Sequence, residues 1–504
     1  MIPSPGQDRN TGRTVQALRS PAGLWEQLAW ALWVLLVLAA VGRSALYYVP
    51  RQQGAYPVFA DGGRHWLRGE DLYDSQDPNS LCVFRYSPLT AVALIPLALA
   101  PDPVGSALLR TANLAAFLLG FGWWTRTALG PPFSREHRAV AWLLCAGMAC
   151  ITLMDVQLNL LTIGFILITL AGVAESRWNT AALAASLACC LKVYPAGLAL
   201  VLAAVYPRRF AARWLAAMAL CLLLPFVFQQ PSYVLRQYAD WVRWGLNQRY
   251  RPELDAGFQD GMMVCRRWLA PMSRTTYVWL EAAAGAAVAL VCLWRRWRAP
   301  QSDLLACITG LCCGWMMAFG PATESQTYVQ LAPVAAVFTV QAWAKPRPSW
   351  FQALVTACCV LLTLSQLQLL LPLDRPLHHL AAQPIAALLL MAAAATCGLR
   401  SLRSCGRTKA AWDPAGAGAR SLPGKMRGRR GAIPSDGEPM ICPARSGSRA
   451  RPLPVRLPTL LSDVHDCQET EGQARQETPA VADDIQHNNS SSVSSHSSPV
   501  SRRL

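Results

Sequence analysis

The stretch Arg51-Gln-Gln-Gly-Ala-Tyr-Pro-Val-Phe-Ala-Asp61-Gly-Gly-Arg-His-Trp-Leu-Arg-Gly-Glu-Asp-Leu-Tyr-Asp74 runs on to Phe84-Arg-Tyr-Ser-Pro88 and sits between two long apolar regions. It holds five acids, Asp61, Glu70, Asp71, Asp74 and Asp77, with His65 and several aromatics. An apolar run of about 20 residues spans a bilayer as a helix. The run at 24–48 therefore delivers this polar segment to one membrane surface. The segment decides the topology of everything after it.

The next apolar run, 88–102, is broken by prolines and too short for a full span. It reads as an interfacial or re-entrant helix on the same side. Charge supports that reading. If 88–102 does not cross, the second span is 104–124, and Arg126, Arg135 and Arg138 fall in a cytoplasmic loop, as the positive-inside rule requires. Further spans are expected near 138–153, 159–174, 178–191, 194–206, 210–229, 276–294, 303–319, 326–343, 350–371 and 381–399. Arg208, Arg209 and Arg213, then Arg295, Arg296 and Arg298, then Lys345 and Arg347, all land inside. Arg375 is the exception. The expectation is an all-α polytopic membrane protein with about 12 transmembrane helices and both termini cytoplasmic. Arg9, Arg13 and Arg19 precede the first run, which is too long for a signal-peptide core.

The domain expectation is a cytoplasmic segment 1–23, a transmembrane domain 24–400 with outer loops 49–103 and 230–275, and a disordered cytoplasmic tail 401–504. That tail is dominated by Gly, Pro, Ser, Arg and Gln, which cannot bury a core. The segment 233–250 in the second outer loop is amphipathic.

Of the 504 residues, 53% are hydrophobic and 15% charged, and the formal net charge is +17. Much of that excess lies in short loops and the tail, so it argues membrane topology rather than nucleic-acid binding. The 19 Trp suit interfacial belts. Most of the 17 Cys lie inside apolar runs, as in Cys189-Cys190, Cys312-Cys313 and Cys358-Cys359, and act as small apolar residues. Cys82 and Cys265 both fall in outer loops, either as a disulfide or as two free thiols. No Cys/His pattern has metal-site spacing, and the adjacent His378-His379 is a weak signal.

With this topology the unusual polar residues converge on the outer face: Asp61, Arg64, His65, Arg85, Tyr86, Asp155, Gln157, Asn159, Lys192, Tyr194, Arg266, Arg267 and Glu324. Lys192 lies between two short apolar runs. An ammonium near hydrocarbon is costly, so it is either a fixed cation for an anionic group such as a lipid phosphate, or a snorkelling lysine. Asp155 and Gln157 fall at a helix junction, as sugar-binding groups or as cap residues. Phe84-Arg-Tyr-Ser-Pro88 offers Arg85 to phosphate and Tyr86 to a sugar, or is a turn that starts the next helix. Glu324 is a short-loop carboxylate, functional or merely solvated. Asp61, ahead of Gly62-Gly63 and a short amphipathic helix at 64–67, is a solvated loop acid or a general base.

Five of these elements, in order, resemble glycosyltransferase family 87, the polyprenyl-phosphate-mannose-dependent alpha-mannosyltransferases and their relatives. They are Phe59-Ala-Asp61-Gly-Gly-Arg64-His-Trp-Leu-Arg-Gly-Glu-Asp-Leu-Tyr73, then Phe84-Arg-Tyr-Ser-Pro88, Val156-Gln-Leu-Asn159, Lys192-Val-Tyr-Pro195, and Gly320-Pro-Ala-Thr-Glu324 with Tyr328. The resemblance covers about 50–340. It implies a GT-C-type fold and a polyprenyl-phosphate-linked sugar donor. It also implies a glycan or glycolipid acceptor, no cofactor or obligatory metal, and a first-loop acid, here Asp61, as catalytic base. Arg64, Arg85, Tyr86, Asp155, Gln157, Asn159, Lys192, Tyr194 and Glu324 become the expected substrate-binding set. The implied activity is inverting transfer of a hexose, mannose by resemblance, on the extracytoplasmic face of the cell membrane. The alternative class is a transporter or flippase. The chain departs from the family in three places. Val156 stands where the family has Gly. The family's first-loop acid often falls at the positions of Ala55-Tyr56. Glu324 stands in a late loop that often carries His.

Overall fold

The structure is a computed structural model and describes residues 21–46, 54–73, 84–129, 133–248, 258–270, 272–320, 323–367 and 374–410. All regular secondary structure among them is helical. In chain order the main helices are α1 Pro21–Leu46, α2 Tyr56–Arg68, α3 Pro88–Leu99, α4 Asp102–Thr127, α5 Arg135–Met154, α6 Asn159–Ala174, α7 Trp178–Leu191, α8 Ala196–Val205, α9 Ala212–Leu223, α10 Pro231–Gln248, α11 Arg274–Arg296, α12 Gln301–Phe319, α13 Ala332–Ala344, α14 Ser349–Gln366 and α15 Ala382–Ala410. A 3-10 segment, Ser325–Leu331, precedes α13.

Each expected span overlaps helix among the described residues, though 326–343 is a 3-10 segment followed by the 13-residue α13, and 210–229 is built of three helical pieces. Seven stretches among the described residues have the length and hydropathy of a full crossing: Gly23–Ser44, Asp102–Thr127, Arg135–Met154, Pro207–Val227, Arg274–Arg296, Gln301–Phe319 and Ser349–Gln366. The apolar helices α6, α7 and α8 and the apolar part of α15, Ala382–Thr396, are shorter. Helix α3 has 12 residues with Pro96 inside it, so at about 1.5 Å per residue it is too short to cross alone.

Small residues set the tightest crossing. A side chain at Gly120 of α4 would strike the Gly164 carbonyl of α6 at 2.4 Å, and one at Gly164 would strike the Ala116 backbone. Without a hydrophobic drive between helices in lipid, such close backbone approach is what brings helices together. Beside this crossing lies a charge that the apolar reading of 104–124 passed over. Arg110 of α4 is buried. Its guanidinium donates at 2.7 Å to the Leu153 and Met154 carbonyls and at 2.7 Å to Ser44 Oγ. It thereby satisfies carbonyls at the end of α5 that the helix itself leaves open. Asn113, one turn on, accepts from the Leu161 amide at 3.0 Å and holds the start of α6. Helix α4 thus fixes both sides of the junction 155–159.

The first outer loop is more helical than expected. Rather than a short helix at 64–67, α2 begins at Tyr56, and Asp61 lies within it. Gly62 and Gly63 face inward: a side chain at Gly62 would strike the Phe84 ring at 2.6 Å, and one at Gly63 the Ala98 side chain of α3 at 2.8 Å. The pair permits packing of α2 on α3 and is not a hinge. Helix α10 covers the end of α2. Tyr233 donates to the Glu70 carbonyl at 2.7 Å, Gln237 accepts from the Leu72 amide at 2.9 Å, and Gln229 donates to the Trp66 carbonyl at 2.7 Å. Tyr233 and Val234 of the amphipathic segment thus pack with Trp66, Leu72 and Tyr73, while Leu235 and Val242 stay exposed. Helix α15 runs past the expected boundary at 400. The segment 411–504, read as a tail, lies outside the described residues. Cys265 is a buried thiol, and Cys82 lies outside the described residues.

Candidate active site

Four connections meet at one end of the bundle: Phe84–Ser87 before α3, Asp155–Leu158 between α5 and α6, Lys192–Pro195 between α7 and α8, and Thr323–Glu324 before the 3-10 segment. Each is aimed by its local backbone. After α5, Gln157 N–H closes on the Thr152 carbonyl at 3.3 Å while Val156 takes φ 54°. This is a Schellman closure with Val156 at the left-handed position that glycine ordinarily fills. The family's Gly there has its physical reason in this φ, and here a β-branched residue bears the strain. The Phe84–Ser87 turn is tied to α7. Ser87 Oγ donates to the Cys190 carbonyl at 2.6 Å and Thr90 Oγ1 to the same oxygen at 3.1 Å. Tyr86 packs edge-on against Phe59 and Phe84, with ring centroids 5.1 and 5.6 Å away.

The side chains form one network. Arg85 pairs with Glu324 at 3.2 Å. Gln157 Nε2 donates to Glu324 at 3.2 Å and to Gln326 Oε1 at 2.8 Å. Gln326 in turn donates to Asp155 Oδ2. Asn159 donates to Gln157 Oε1 at 3.3 Å. Gln330 donates to the Tyr194 hydroxyl, and the Lys192 ammonium lies over the Tyr194 ring at 5.7 Å. Two buried amide oxygens, Asn159 Oδ1 and Gln330 Oε1, have no hydrogen-bond partner among the described residues.

Electrostatics within the network are mixed in sign. Burial pushes the Lys192 ammonium down from 10.5 to about 8; Glu324 works against this and Arg85 with it. Burial raises the Asp155 carboxyl above its ordinary value, with Arg43 and Arg110 pulling it back and Glu324 adding to the rise. Burial also raises the Tyr86 phenol. A desolvated carboxylate with a raised pKa is a stronger base than one in water.

Of the ten expected site residues, eight belong to this cluster: Arg85, Tyr86, Asp155, Gln157, Asn159, Lys192, Tyr194 and Glu324. Asp61 and Arg64 do not. Arg64 bonds Asp61 at 3.1 Å and also holds Asp102. The Asp61 side chain is 56% exposed, and no contact among the described residues joins it to the network. The backbone just ahead of α2, however, does reach the site: the Ala55 amide donates to the Asp155 carbonyl at 3.0 Å. The positions where the family often keeps its first-loop acid therefore abut Asp155. Arg266 and Arg267 line a separate cavity of about 290 Å³ with Asp260, His378 and His379. Gln326 and Gln330 were missed; as uncharged amides in a helical stretch they carry no composition signal.

No curated protein matches the chain. Among solved structures it is similar to ArnT from Cupriavidus metallidurans bound to undecaprenyl phosphate, at 15% identity and a TM-score of 0.34, covering 77% of each chain. The family model of glycosyltransferase family 87 matches residues 84–321, a span that contains Arg85, Asp155, Gln157, Asn159 and Lys192. Over that span the chain is similar to glycosyltransferase family 87.

Proposed function

We propose that the network is the reaction centre of an inverting glycosyltransferase that takes a hexose, mannose in the first instance, from a polyprenyl-phosphate sugar. The observation that carries this is the convergence of four connections into one network holding two cations and two carboxylates. The donor phosphate rests between Lys192 and Arg85, whose charges stabilise the negative charge gathering on the leaving group. Both cations stand at helix ends, where a lipid headgroup lies while its chain stays among the helices. Asp155 takes the proton of the acceptor hydroxyl as that oxygen attacks the anomeric carbon. The sugar–phosphate bond breaks on the opposite side, so configuration inverts. Gln157, Asn159 and Tyr194 serve sugar hydroxyls, with the open Asn159 and Gln330 oxygens as acceptors. The face bearing the network is extracytoplasmic and both termini are cytoplasmic.

The base is assigned to Asp155 rather than Asp61. Asp155 is desolvated and inside the network, whereas Asp61 is solvent-facing and paired with Arg64. The test is transfer of radiolabelled sugar from polyprenyl-phosphate donors to endogenous acceptors in membranes, with products identified by mass spectrometry. Several donor sugars run in parallel decide the hexose. Translocation of the labelled lipid without any transfer would replace this reading by a flippase.

A further inference from the structure

Helices α7, α8, α11 and α12 lead away from the network to a second site. The run of α7 from Lys192 back to Trp178 covers 14 residues, roughly 21 Å at 1.5 Å per residue. At that far end a cavity of about 720 Å³ is lined by Trp178, Tyr206, Arg208, Arg209, Arg296 and Trp297, among others, and by no acid.

Its walls are built by three local features. Helix α6 closes with Ser176 at φ 61° and Arg177 N–H on the Gly172 carbonyl at 2.7 Å, which turns the chain into Trp178. Gln301 donates to the Val173 carbonyl at 3.2 Å and fixes the start of α12 beside it. Pro207 opens a wide π turn, Pro207–Ala211, in which Phe210 is buried and stacked on Trp214, leaving Arg208 and Arg209 exposed. Arg209 lies 5.8 Å from the Trp178 ring and Arg296 4.8 Å from the Trp297 ring.

Among the described residues no carboxylate lies within ion-pair distance of Arg208, Arg209 or Arg296. Glu175, in the turn before Trp178, is held by Arg177 at 2.9 Å, and Asp303, in the first turn of α12, is not among the lining residues. Helix ends of both polarities meet here, so their dipoles oppose one another and the arginines decide the sign. The positive-inside rule accounts for basic residues in a loop but not for their convergence on an aromatic-walled, acid-free cavity. A guanidinium stacked on an aromatic ring keeps its planar donors free for a bidentate oxyanion.

We propose that this cavity is a binding site for a phosphate ester, filled by the headgroup of an anionic phospholipid on the face opposite the network. The inference stands independently of the reaction assigned to the network. The full chain in neutral detergent is titrated with short-chain phosphatidylglycerol, with phosphatidylcholine and with inorganic pyrophosphate, and binding is read as a shift in Tm. Phosphatidylglycerol is expected to stabilise the protein and phosphatidylcholine not to. The double variant Arg209→Gln/Arg296→Gln is expected to weaken phosphatidylglycerol binding about tenfold or more, the size of one or two charge-assisted hydrogen bonds. Arg298→Gln, whose side chain sits over Trp294 outside the cavity lining, keeps wild-type affinity. Stabilisation by pyrophosphate as well, lost in the double variant, supports a phosphate site that soluble esters also reach. Stabilisation by the lipid alone supports the headgroup. Equal binding by wild type and double variant, or by the two lipids, overturns the proposal. If the double variant does not fold, Arg208→Gln is judged by the same criterion.

Discussion

The two ends of helix α7 are built from similar residue types and reach opposite electrostatic states. At the Lys192 end a lysine and an arginine stand among Glu324, Asp155 and a chain of amides, and hydrogen bonds join Arg85, Glu324, Gln157, Gln326 and Asp155. At the Trp178 end Arg209 and Arg296 lie near indole rings, with no carboxylate within ion-pair distance among the described residues. Mixed signs in a desolvated cluster shift pKa values and position protons, which is what bond-making needs. A single sign over aromatic walls selects for an anion. On the proposed reading, one end is a reaction centre and the other a binding site.

The sharpest break in that comparison is at Asp155. Asp155→Asn keeps the side chain's size and removes the base, so transfer should fall by about 10²–10⁴-fold. Asp61→Asn, outside the network, should stay near wild type. The reverse result, measured with labelled donor in membranes at matched expression, returns the base to α2.

Lys192 gives the next largest effect, and it has a sign. Its folded value of about 8 lies below the ordinary 10.5. The ammonium is thus present below about 8 and is lost as pH rises, and phosphate binding and transfer fall with it. Stability runs the other way. Between the two values the unfolded chain binds the extra proton, so this group's contribution to stability rises with pH. Lys192→Arg keeps its charge and should remove the alkaline limb of the rate profile. An unchanged limb in that variant means another group titrates.

Glu324 ranks third. Glu324→Gln leaves Arg85 without its 3.2 Å carboxylate partner and removes the charge that holds the Lys192 ammonium up. Transfer should drop about tenfold, the size of one charge-assisted hydrogen bond, and the alkaline limb should move to lower pH. A tenfold drop without that movement would separate the Arg85 pairing from the coupling to Lys192.

The spans were legible because apolar runs and basic loops are long, one-dimensional signals. Most of the candidate cluster can be gathered from sequence for a related reason: a polar residue such as Lys192, Asp155 or Glu324 at the end of an apolar run has few places to go except the helix ends. What stayed hidden depends on contacts across the chain. Arg110 reads as an isolated blemish in a span until Leu153 and Met154 are seen to present their carbonyls to it. Gly62-Gly63 reads as a loop until Phe84 and Ala98 fill the space beside it. Asp61 reads as part of the same cluster until it is seen in α2, exposed and paired with Arg64. The arginine cavity joins residues from three separate loops, and no local pattern announces it.

Val156 carries the smallest effect and tests how the reactive end is aimed. It is buried, at 1% exposure, and holds φ 54° so that Gln157 can turn toward Glu324. At an ordinary buried valine, glycine is worse than alanine, because it loses a further methyl of about 0.8 kcal/mol and more backbone entropy. Here the left-handed conformation costs a side-chain-bearing residue about 1–2 kcal/mol, which glycine escapes. The two terms nearly cancel or favour glycine. Val156→Gly should therefore melt at or above Val156→Ala, with both slightly below wild type. The order of the two Tm values decides the matter. If the alanine variant is clearly the more stable, the left-handed turn is not strained and Val156 is an ordinary core residue. If glycine matches or exceeds it, the turn that aims Gln157 is held against a conformational cost by the packing around it.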